Sequence, residues 1–188
     1  MTATDNSLME RVGAGELAKL AVLFERHHRA LFRYFVSMNR DRALAEDLVQ
    51  DVFFRILRYR TSYDPEKPFT AWMYQIARRA SLDRVTARRG EVVGIEEFTD
   101  RRNEPVSAAP GPEERASRGQ NLALLRKAFD QLPPDKREIL LLSRFEEMKY
   151  EEIASVLGCE LGTVKVRVYR AVRALEQIYF TLEKERAS

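Results

Sequence analysis

The stretch from Tyr150 to Lys165 reads Tyr-Glu-Glu-Ile-Ala-Ser-Val-Leu-Gly-Cys-Glu-Leu-Gly-Thr-Val-Lys, and it decides the fold of the C-terminal part of the chain. Ile153 and Ala154 lie on one face of a short predicted helix that ends at Gly158. The small side chain of Ala154 lets a second helix cross closely, and Gly158 tolerates the positive φ of a tight turn. The spacing therefore predicts a helix-turn-helix whose second helix runs from about Gly162 to Phe180.

The second helix of this motif has two contrasting faces. Val164, Val168 and Leu175 form an apolar inner stripe. The outer side is basic and aromatic, which fits the major groove of DNA, and a threonine near the helix N-terminus is placed to meet a phosphate. A solvated basic face on a bundle helix is the alternative, but the turn spacing favours DNA. The candidate contact residues from this pattern are Thr163, Lys165, Arg167, Tyr169, Arg170 and Arg173.

The N-terminal part of the chain also shows helical periodicity. Apolar residues recur at three- and four-residue steps and predict helices from Gly15 to Met38 and from Ala43 to Tyr59. Pro65 and Pro68 mark a loop, after which a third helix runs from near Phe69 to about Arg89. Strand signals are almost absent, so the sequence predicts an all-α protein.

Residues 91–118 differ from the segments on either side of them. Prolines are concentrated here, acidic residues outnumber arginines, and apolar periodicity is lost. This composition is typical of a flexible acidic linker. The sequence therefore predicts two small helical domains, residues 1–90 and 119–188, with the first helix of the second domain starting near Asn121.

Composition excludes several classes of protein. The 188 residues carry a net charge of only +3, so the placement of charge matters more than its sum. Cys159 is the one cysteine, which we interpret as a small turn residue rather than a redox switch, and the adjacent His27 and His28 are a poor metal pair. We expect no metal or cofactor. Because no apolar run suits a membrane helix and no export signal opens the chain, we predict no membrane insertion and a cytoplasmic location.

The helix from Ala43 to Tyr59 has a mixed polar face beside an exposed-looking aromatic residue. Acidic groups next to a phenylalanine are typical of a protein-docking surface. An ordinary solvated face, with Phe54 folded inward, is the alternative that these residues leave open. The candidate docking residues are Glu46, Asp47, Gln50, Asp51, Phe54 and Arg55.

The helix from Phe69 to Arg89 is rich in arginine, with aromatic residues before and beside it. Arginines hold a nucleic-acid backbone and aromatic rings stack on bases, so this combination suits single-stranded DNA. We expect Trp72 to be largely core and Tyr63, in the loop, to be freer to contact DNA. The candidate residues are Tyr63, Arg78, Arg79, Asp83, Arg84 and Arg88.

These elements, in this order and over nearly the whole chain, resemble the extracytoplasmic-function sigma factors of the sigma-70 family. Ala45-Glu46-Asp47-Leu48-Val49-Gln50-Asp51-Val52-Phe53-Phe54-Arg55 is similar to region 2.2 of that family. Phe69-Thr70-Ala71-Trp72-Met73-Tyr74-Gln75-Ile76-Ala77-Arg78-Arg79, followed by Leu82-Asp83-Arg84, is similar to regions 2.3 and 2.4. The segment from Leu132-Pro133-Pro134 through Arg173 is similar to region 4.

The resemblance implies a promoter-specificity subunit of RNA polymerase, with core polymerase and promoter DNA as partners. The face with Asp47, Gln50 and Asp51 would dock on the clamp helices of the largest subunit, and the C-terminal domain would meet the flap. The loop from Thr61 to Lys67 would hold a base flipped from the −10 element, beside the arginine-rich helix. Lys165, Val166, Tyr169 and Arg170 would face the −35 element. The linker would thread toward the polymerase active site, and an anti-sigma factor would antagonise the protein.

Two positions depart from the family pattern, and two other classes of protein compete with it. Arg79 is often Asn in relatives, and Val166 is often Ser, which puts the promoter sequence in doubt but not the class. A free-standing helix-turn-helix regulator would leave the N-terminal surfaces without a role. An enzyme is disfavoured because the sequence has no phosphate-binding glycine loop, nucleophile elbow or metal cluster.

Overall fold

The computed structural model describes residues 3–90 and 112–187, and every regular element in those ranges is helical. The N-terminal half contains α1 (Asp5–Gly13), α2 (Ala18–Asn39), α3 (Arg42–Arg58) and α4 (Phe69–Gly90), with a 3-10 turn at Arg60–Ser62. The C-terminal half contains α5 (Pro112–Asp130), α6 (Pro134–Leu140), a π-helical turn that continues α6 (Leu141–Phe145), α7 (Tyr150–Leu157) and α8 (Leu161–Ala187). The predicted all-α fold is confirmed.

Helix α1 is the element that the sequence analysis did not predict. Its N-cap is Thr4, whose hydroxyl accepts a hydrogen bond from the Ser7 amide at 3.3 Å. The helix has only 9 residues and buries Leu8, Met9 and Val12, too few positions to establish a periodic pattern. Asp5 ties its start to α2 through an ion pair with Arg26 at 2.6 Å and a hydrogen-bond contact with the His27 ring at 2.7 Å, so the helix is fixed by contacts distant in sequence.

Helices α2, α3 and α4 enclose the apolar core of the N-terminal half. Asp41 caps α3, its carboxylate accepting from the Leu44 amide at 2.9 Å, directly after Arg40 ends α2 in the left-handed conformation. This tight connection sets α2 and α3 side by side. The fully buried side chains at their contact with each other and with α4 include Leu31, Phe35, Leu48, Val52, Ile56, Met73 and Ala77.

Helix α5 begins at Pro112, inside the segment that the sequence analysis assigned to the linker. Proline is well suited to the first helical position because its missing N–H would be unpaired there. The residues that follow, Glu113 and Glu114, have helical backbone. Composition indicated a linker because these same residue types are also common in extended segments.

The predicted helix-turn-helix is formed by α7 and α8. Gly158 ends α7 with φ of +62°, and the Cys159 amide donates to the Ala154 carbonyl at 3.0 Å. On α8, Val164 and Val168 turn inward as predicted, and Ala171 completes the buried stripe. Leu175, expected in that stripe, is only half-buried.

The two halves pack directly against each other, which the sequence did not predict. Helix α4 lies against α7, and α2 lies against α6. The buried apolar side chains of both halves form one continuous cluster. The side-chain amide of Gln75 on α4 donates to the carbonyl and hydroxyl oxygens of Ser155 on α7, both at 2.9 Å. The arginine-rich helix and the first helix of the helix-turn-helix are therefore neighbours.

Candidate nucleic-acid and protein interfaces

The outer face of α8 is exposed along its first four turns. Val166 and Tyr169 are 48% and 62% exposed although both are large and apolar or aromatic. Lys165, Arg167 and Arg170 are exposed beside them, while Thr163 is half-buried at the start of the helix. This side of α8 is therefore a continuous basic surface, interrupted by two side chains able to make apolar contacts with base edges.

Arg173, farther along the same helix, differs from Arg170 in its surroundings. Its guanidinium donates to the Glu176 carboxylate at 3.1 Å and to the Tyr169 hydroxyl at 3.3 Å, and it lies over the Tyr169 ring. These hydrogen bonds raise the pKa of Arg173. Arg170 makes no hydrogen bond or ion pair with the described residues, so its guanidinium is available to an external acceptor.

The polar face of α3 presents an aromatic side chain to solvent. Phe54 is 63% exposed, so the alternative in which it folds inward does not hold. Glu46, Asp47 and Gln50 are exposed on the same helix. A large exposed phenylalanine among acidic groups has the character of a protein-binding anchor.

Asp51 and Arg55, the two remaining candidate residues of the α3 face, form hydrogen bonds within the chain. Arg55 donates to Asp51 one turn earlier, at 3.1 Å, and to Asp83 on α4, at 2.6 Å. Burial alone would lower the pKa of Arg55, but the hydrogen bonds to Asp83 and Asp51 outweigh it and raise the pKa. A residue expected at the docking face and one expected at the DNA face are thus joined, and this bridge fixes α3 against α4.

The loop between α3 and α4 buries the tyrosine that the sequence analysis expected to be free. Tyr63 is only 8% exposed, and its hydroxyl donates to the Lys67 carbonyl at 2.8 Å. Its ring lies 5.2 Å from the Trp72 ring and 6.3 Å from the Phe69 ring. Burial raises the pKa of Tyr63 to about 12. The expectation of a freely exposed Tyr63 is corrected, because the three rings pack together and shape the loop from inside.

Asn6, on α1, was missed by the sequence analysis although it holds this loop in place. Its side-chain amide donates to the carbonyls of Pro65 and Lys67, both at 3.1 Å. Its side-chain oxygen accepts from the Phe69 amide at 2.9 Å and so caps the start of α4. A single asparagine in an unassigned segment gave no signal, because its partners lie about sixty residues away.

A cleft of about 610 Å³ opens beside the loop. One wall consists of loop and α4 residues, among them Tyr63, Lys67 and Trp72. The opposite wall belongs to α7 of the C-terminal half and its N-cap, and consists of Lys149, Glu151, Glu152 and Ser155. The candidate site for an unpaired base is therefore bounded by both halves of the chain.

The arginines of α4 divide into two groups. Arg79 and Arg84 are exposed and face solvent, as expected of residues that would bind a DNA backbone. Arg78 instead donates to the Glu138 carboxylate of α6 at 3.2 Å. Asp83 is engaged by Arg55, as described above. The side chain of Arg88 lies outside the described residues, as does the segment 91–111 that contains most of the predicted linker.

Within residues 3–90 and 112–187, no three or more His, Cys, Asp or Glu side chains are grouped so that they would hold a metal ion. No helix in those ranges has the length and apolarity needed to cross a bilayer.

Two family models match the chain, and both have sigma-factor descriptions. Sigma-70 region 2 matches residues 23–91, and Sigma-70, region 4 matches residues 122–175. The sequence is 33% identical over 179 residues to RNA polymerase sigma factor CarQ of Myxococcus xanthus, covering 94% of this chain and 98% of that protein. It is 32% identical over 164 residues to ECF RNA polymerase sigma factor SigL of Mycobacterium tuberculosis, covering 86% and 89% of the two chains.

Two solved structures share the fold. The sigma factor RpoE of Bartonella quintana, solved in complex with the anti-sigma factor NepR, has a TM-score of 0.66 and 26% identity, covering 84% of this chain and 94% of that chain. CnrH, solved in complex with the cytosolic domain of CnrY, has a TM-score of 0.70 and 24% identity, covering 95% and 99%. These likenesses extend over both halves of the chain.

Proposed function

The chain belongs to the extracytoplasmic-function sigma factors of the sigma-70 family, which direct RNA polymerase to promoters and start transcription, and from that premise we propose how its surfaces divide this work. Residues 1–90 form the domain that docks on core polymerase and opens the −10 element. Residues 119–188 form the domain that reads the −35 element, and residues 91–118 connect them. We assign no catalytic step to this chain.

The exposed face of α8 is the observation that carries the DNA-reading part of the proposal. Lys165, Val166, Tyr169 and Arg170 stand on one side of a helix whose other side is buried against α7. In a helix-turn-helix, the second helix enters the major groove with its N-terminal residues at base edges. These residues therefore supply base contacts, and Thr163, Arg167 and Arg173 supply phosphate contacts.

The α3 face carries the polymerase-docking part of the proposal. Phe54 is the apolar anchor, and Glu46, Asp47 and Gln50, in the preceding two turns of α3, add exposed polar and acidic groups. Asp51 and Arg55 contribute chiefly by fixing α3 to α4 through Asp83. The partner surface is the clamp helices of the largest polymerase subunit, while the C-terminal domain contacts the flap.

The cleft beside Tyr63 carries the −10 part of the proposal. Its aromatic lining offers stacking surface for a flipped base, and Arg79 and Arg84 lie on the same helix as Trp72 to hold the strand. Tyr63 acts from within the loop as part of the pocket lining. Arg78 joins this surface when it is released from Glu138.

We also propose that a cytoplasmic anti-sigma domain antagonises this protein. The support is the RpoE–NepR complex, in which a sigma factor of the same fold is bound by an anti-sigma factor. A partner that covers the α3 face and the helix-turn-helix together would block both polymerase docking and DNA reading. Affinity capture from the native host, followed by identification of the bound chains, tests for this partner.

Transcription in a purified system tests the function itself. Core polymerase alone, the chain alone, and the two together are incubated with a library of promoter-like DNA, and transcripts are sequenced. Transcripts with a shared −10 and −35 sequence should appear only when both proteins are present. Specific DNA binding by the chain alone, with no effect of core polymerase, would instead support a free-standing helix-turn-helix regulator.

Replacing Asn6 with alanine is expected to impair promoter melting by about tenfold or more. The variant loses three hydrogen bonds that hold the loop from Pro65 to Phe69, and each is worth about 0.5–1.5 kcal/mol. Permanganate reactivity of unpaired thymines in the −10 element measures the effect. Binding to core polymerase should remain normal, because the hydrogen bonds of Asn6 are to the loop and the start of α4 and not to α3.

The Asn6→Asp variant separates the hydrogen-bond donor and acceptor roles of this side chain. It keeps an acceptor for the Phe69 amide but loses the donors to Pro65 and Lys67. If loop position matters for melting, Asn6→Asp is impaired together with Asn6→Ala. Normal melting by both variants would show that the loop needs no support from α1.

A further inference from the structure

The second half of α4 exposes a stripe of side chains that differ in chemistry. They are spaced by three and four residues and therefore lie on one side of the helix, and each of them is exposed. The stripe consists of Arg79, Leu82, Asp83 and Thr86. A surface that only attracts phosphates would be weakened by a carboxylate and would gain little from a leucine that is 54% exposed. Hydrogen-bonding groups mixed with an apolar side chain instead suit the edges of bases.

Arg79 and Asp83 are spaced as a pair that would normally bind each other. Opposite charges four residues apart on a helix surface are neighbours and attract each other. The Asp83 carboxylate is instead bound from the neighbouring helix, where its Oδ2 accepts from the Arg55 guanidinium at 2.6 Å. Arg79 makes no hydrogen bond or ion pair with the residues that the structure describes. The carboxylate of the stripe is thus bound to α3, while the arginine of the stripe points to solvent.

Arg55 is fixed in the position that binds Asp83. Asp51, one turn earlier on α3, accepts from the Arg55 guanidinium at 3.1 Å, and the Arg55 side chain is only 24% exposed. Partly buried ion pairs are screened less by water and salt than exposed ones. A pair between Arg79 and Asp83 would instead lie on the exposed side of α4, where such pairs contribute little. Asp83 therefore stays with Arg55, and Arg79 has no competing partner in the described part of the chain.

We propose that Arg55 keeps Arg79 free by holding Asp83, and that Arg79 uses its free guanidinium to select a guanine beside the flipped base of the −10 element. The fork of an arginine matches the O6 and N7 acceptors of guanine, and no other base presents two acceptors at its major-groove edge. Arg79 is then a specificity residue, and Arg55 is a positioning residue that acts through Asp83. This inference rests on the proposed assignment of α4 to the −10 element, and it adds base reading to the strand contact proposed for Arg79.

The place of the selected guanine follows from the length of the helix between the two contacts. Trp72 lines the cleft proposed for the flipped base, and Arg79 follows it on the same helix. The two residues are separated by about two helical turns, which is about 10 Å along the helix axis. That distance corresponds to about three base pairs of DNA. The guanine should therefore lie about three base pairs from the flipped base, on the side where the DNA remains paired.

The alternative is an ion pair that only fixes α3 against α4, with Arg79 left to solvent or to phosphate. Breaking the pair from its two ends distinguishes these cases. Arg55→Met leaves the Asp83 carboxylate in place, so this carboxylate is released to bind Arg79. Asp83→Asn breaks the same ion pair but leaves no carboxylate that could occupy Arg79. A purely structural ion pair predicts the same result for both variants, whereas the proposal predicts that only Arg55→Met loses the selection of guanine.

Promoter selection by reconstituted holoenzymes tests the proposal. Core polymerase with each full-length chain transcribes a library randomised in and beside the −10 element, and the transcripts are sequenced. The wild type should favour guanine at one position by about 5- to 150-fold. Arg79→Asn should favour adenine there, because an asparagine amide pairs bidentately with adenine, and Arg79→Lys, which keeps the charge but not the fork, should lose the preference. Arg84→Ala, which removes another exposed arginine of α4, should weaken binding to all sequences and keep the guanine preference.

The two ion-pair variants are compared in the same selection. Arg55→Met should lower the guanine preference at least about fivefold, whereas Asp83→Asn should keep it. Any loosening of the contact between α3 and α4 is common to both variants, because both lose the same ion pair. The preference is a ratio between promoters for one holoenzyme, so a change in affinity for core polymerase does not alter it. A difference between the two variants therefore reports whether Arg79 is free.

Each outcome of the selection decides one part of the inference. The same guanine preference in Arg55→Met and Asp83→Asn would overturn the positioning role of Arg55. An unchanged base preference in Arg79→Asn, or a wild type that selects a −10 element without a guanine beside it, would overturn the role of Arg79. A wild-type chain that gives no promoter-dependent transcripts with core polymerase would count against the proposed function instead.

Discussion

Asp47→Lys is expected to abolish stable binding of the chain to core RNA polymerase while leaving the fold of the free chain intact. Asp47 is exposed on α3 beside the exposed Phe54, so its reversal changes the docking face and not the core. Loss of a buried interfacial charge pair costs about 2–5 kcal/mol, which corresponds to a loss of affinity of about 30-fold or more. Titration of core polymerase into a fluorescently labelled chain measures this change.

Asp51 is unsuitable for the same experiment. Its carboxylate accepts from Arg55, which also binds Asp83 on α4, so a reversal there would disturb the contact between the two helices. Phe54→Ala is the second test, because a large aromatic anchor in an interface often contributes more than about 2 kcal/mol. The free energy of unfolding of the Phe54→Ala chain should be unchanged, since the Phe54 side chain is 63% exposed.

Glu25→Lys provides the matched control, with the same change of charge at an exposed position of α2. It should bind core polymerase like the wild type. If Asp47→Lys and Phe54→Ala also bind like Glu25→Lys, then α3 does not face the polymerase.

The features that could be predicted from sequence are those determined by neighbours within a few residues. Gly158 ends α7 with a positive φ, which glycine adopts without steric strain. A glycine directly after a short helical pattern can be recognised in the sequence. The alternation of Val164 and Val168 with exposed basic residues follows directly from the helical repeat. For the same reason, the exposed positions on α3 were predictable, apart from the orientation of Phe54.

The features that could not be predicted depend on partners far along the chain. Arg55 looks like an exposed docking residue until α4 brings Asp83 to within 2.6 Å of it. Tyr63 looks like a free loop residue until Trp72 and Phe69 pack around it. Periodicity reports which side of a helix is apolar, but it does not report which polar group from another helix will meet the polar side.

The contact between the halves shows this limit most clearly. Arg137 and Glu138 lie in a helix whose apolar residues are easily recognised, and charged residues are usually assigned to the surface. Their burial is decided by Ser37, Tyr34 and Arg78, which lie 60 to 104 residues away. A sequence that predicts a flexible connection between two domains gives no information on whether the domains then pack together.

Arg170→Ala is expected to weaken holoenzyme binding to its promoters and to blur sequence preference at one or two base pairs of the −35 element. Arg170 is exposed on the outer face of α8 and is not bound by the described residues. A bidentate arginine contact to guanine is worth about 1–3 kcal/mol of discrimination, equivalent to about 5- to 150-fold. Selection from a library of −35 variants by wild-type and mutant holoenzymes measures the change at each position.

Arg173→Ala is expected to act differently, although the two side chains are only one turn apart. Arg173 lies farther from the helix N-terminus and is already paired with Glu176, so we assign it to phosphate. Its loss should weaken binding to all sequences alike. The slope of log K against log salt concentration should become less steep by at most about one. Glu176→Ala, which releases Arg173, should strengthen binding to all sequences and leave the preference unchanged.

These three variants distinguish base reading from general attraction to DNA. Tyr169 and Val166 themselves are unchanged in each of them, although Arg173→Ala also removes the contact of Arg173 with the Tyr169 ring and hydroxyl. A changed preference confined to Arg170→Ala places that residue at a base edge. An unchanged −35 preference in Arg170→Ala, with weaker binding to every sequence, would instead assign Arg170 to the phosphate backbone and leave base reading to Lys165 and the apolar residues beside it.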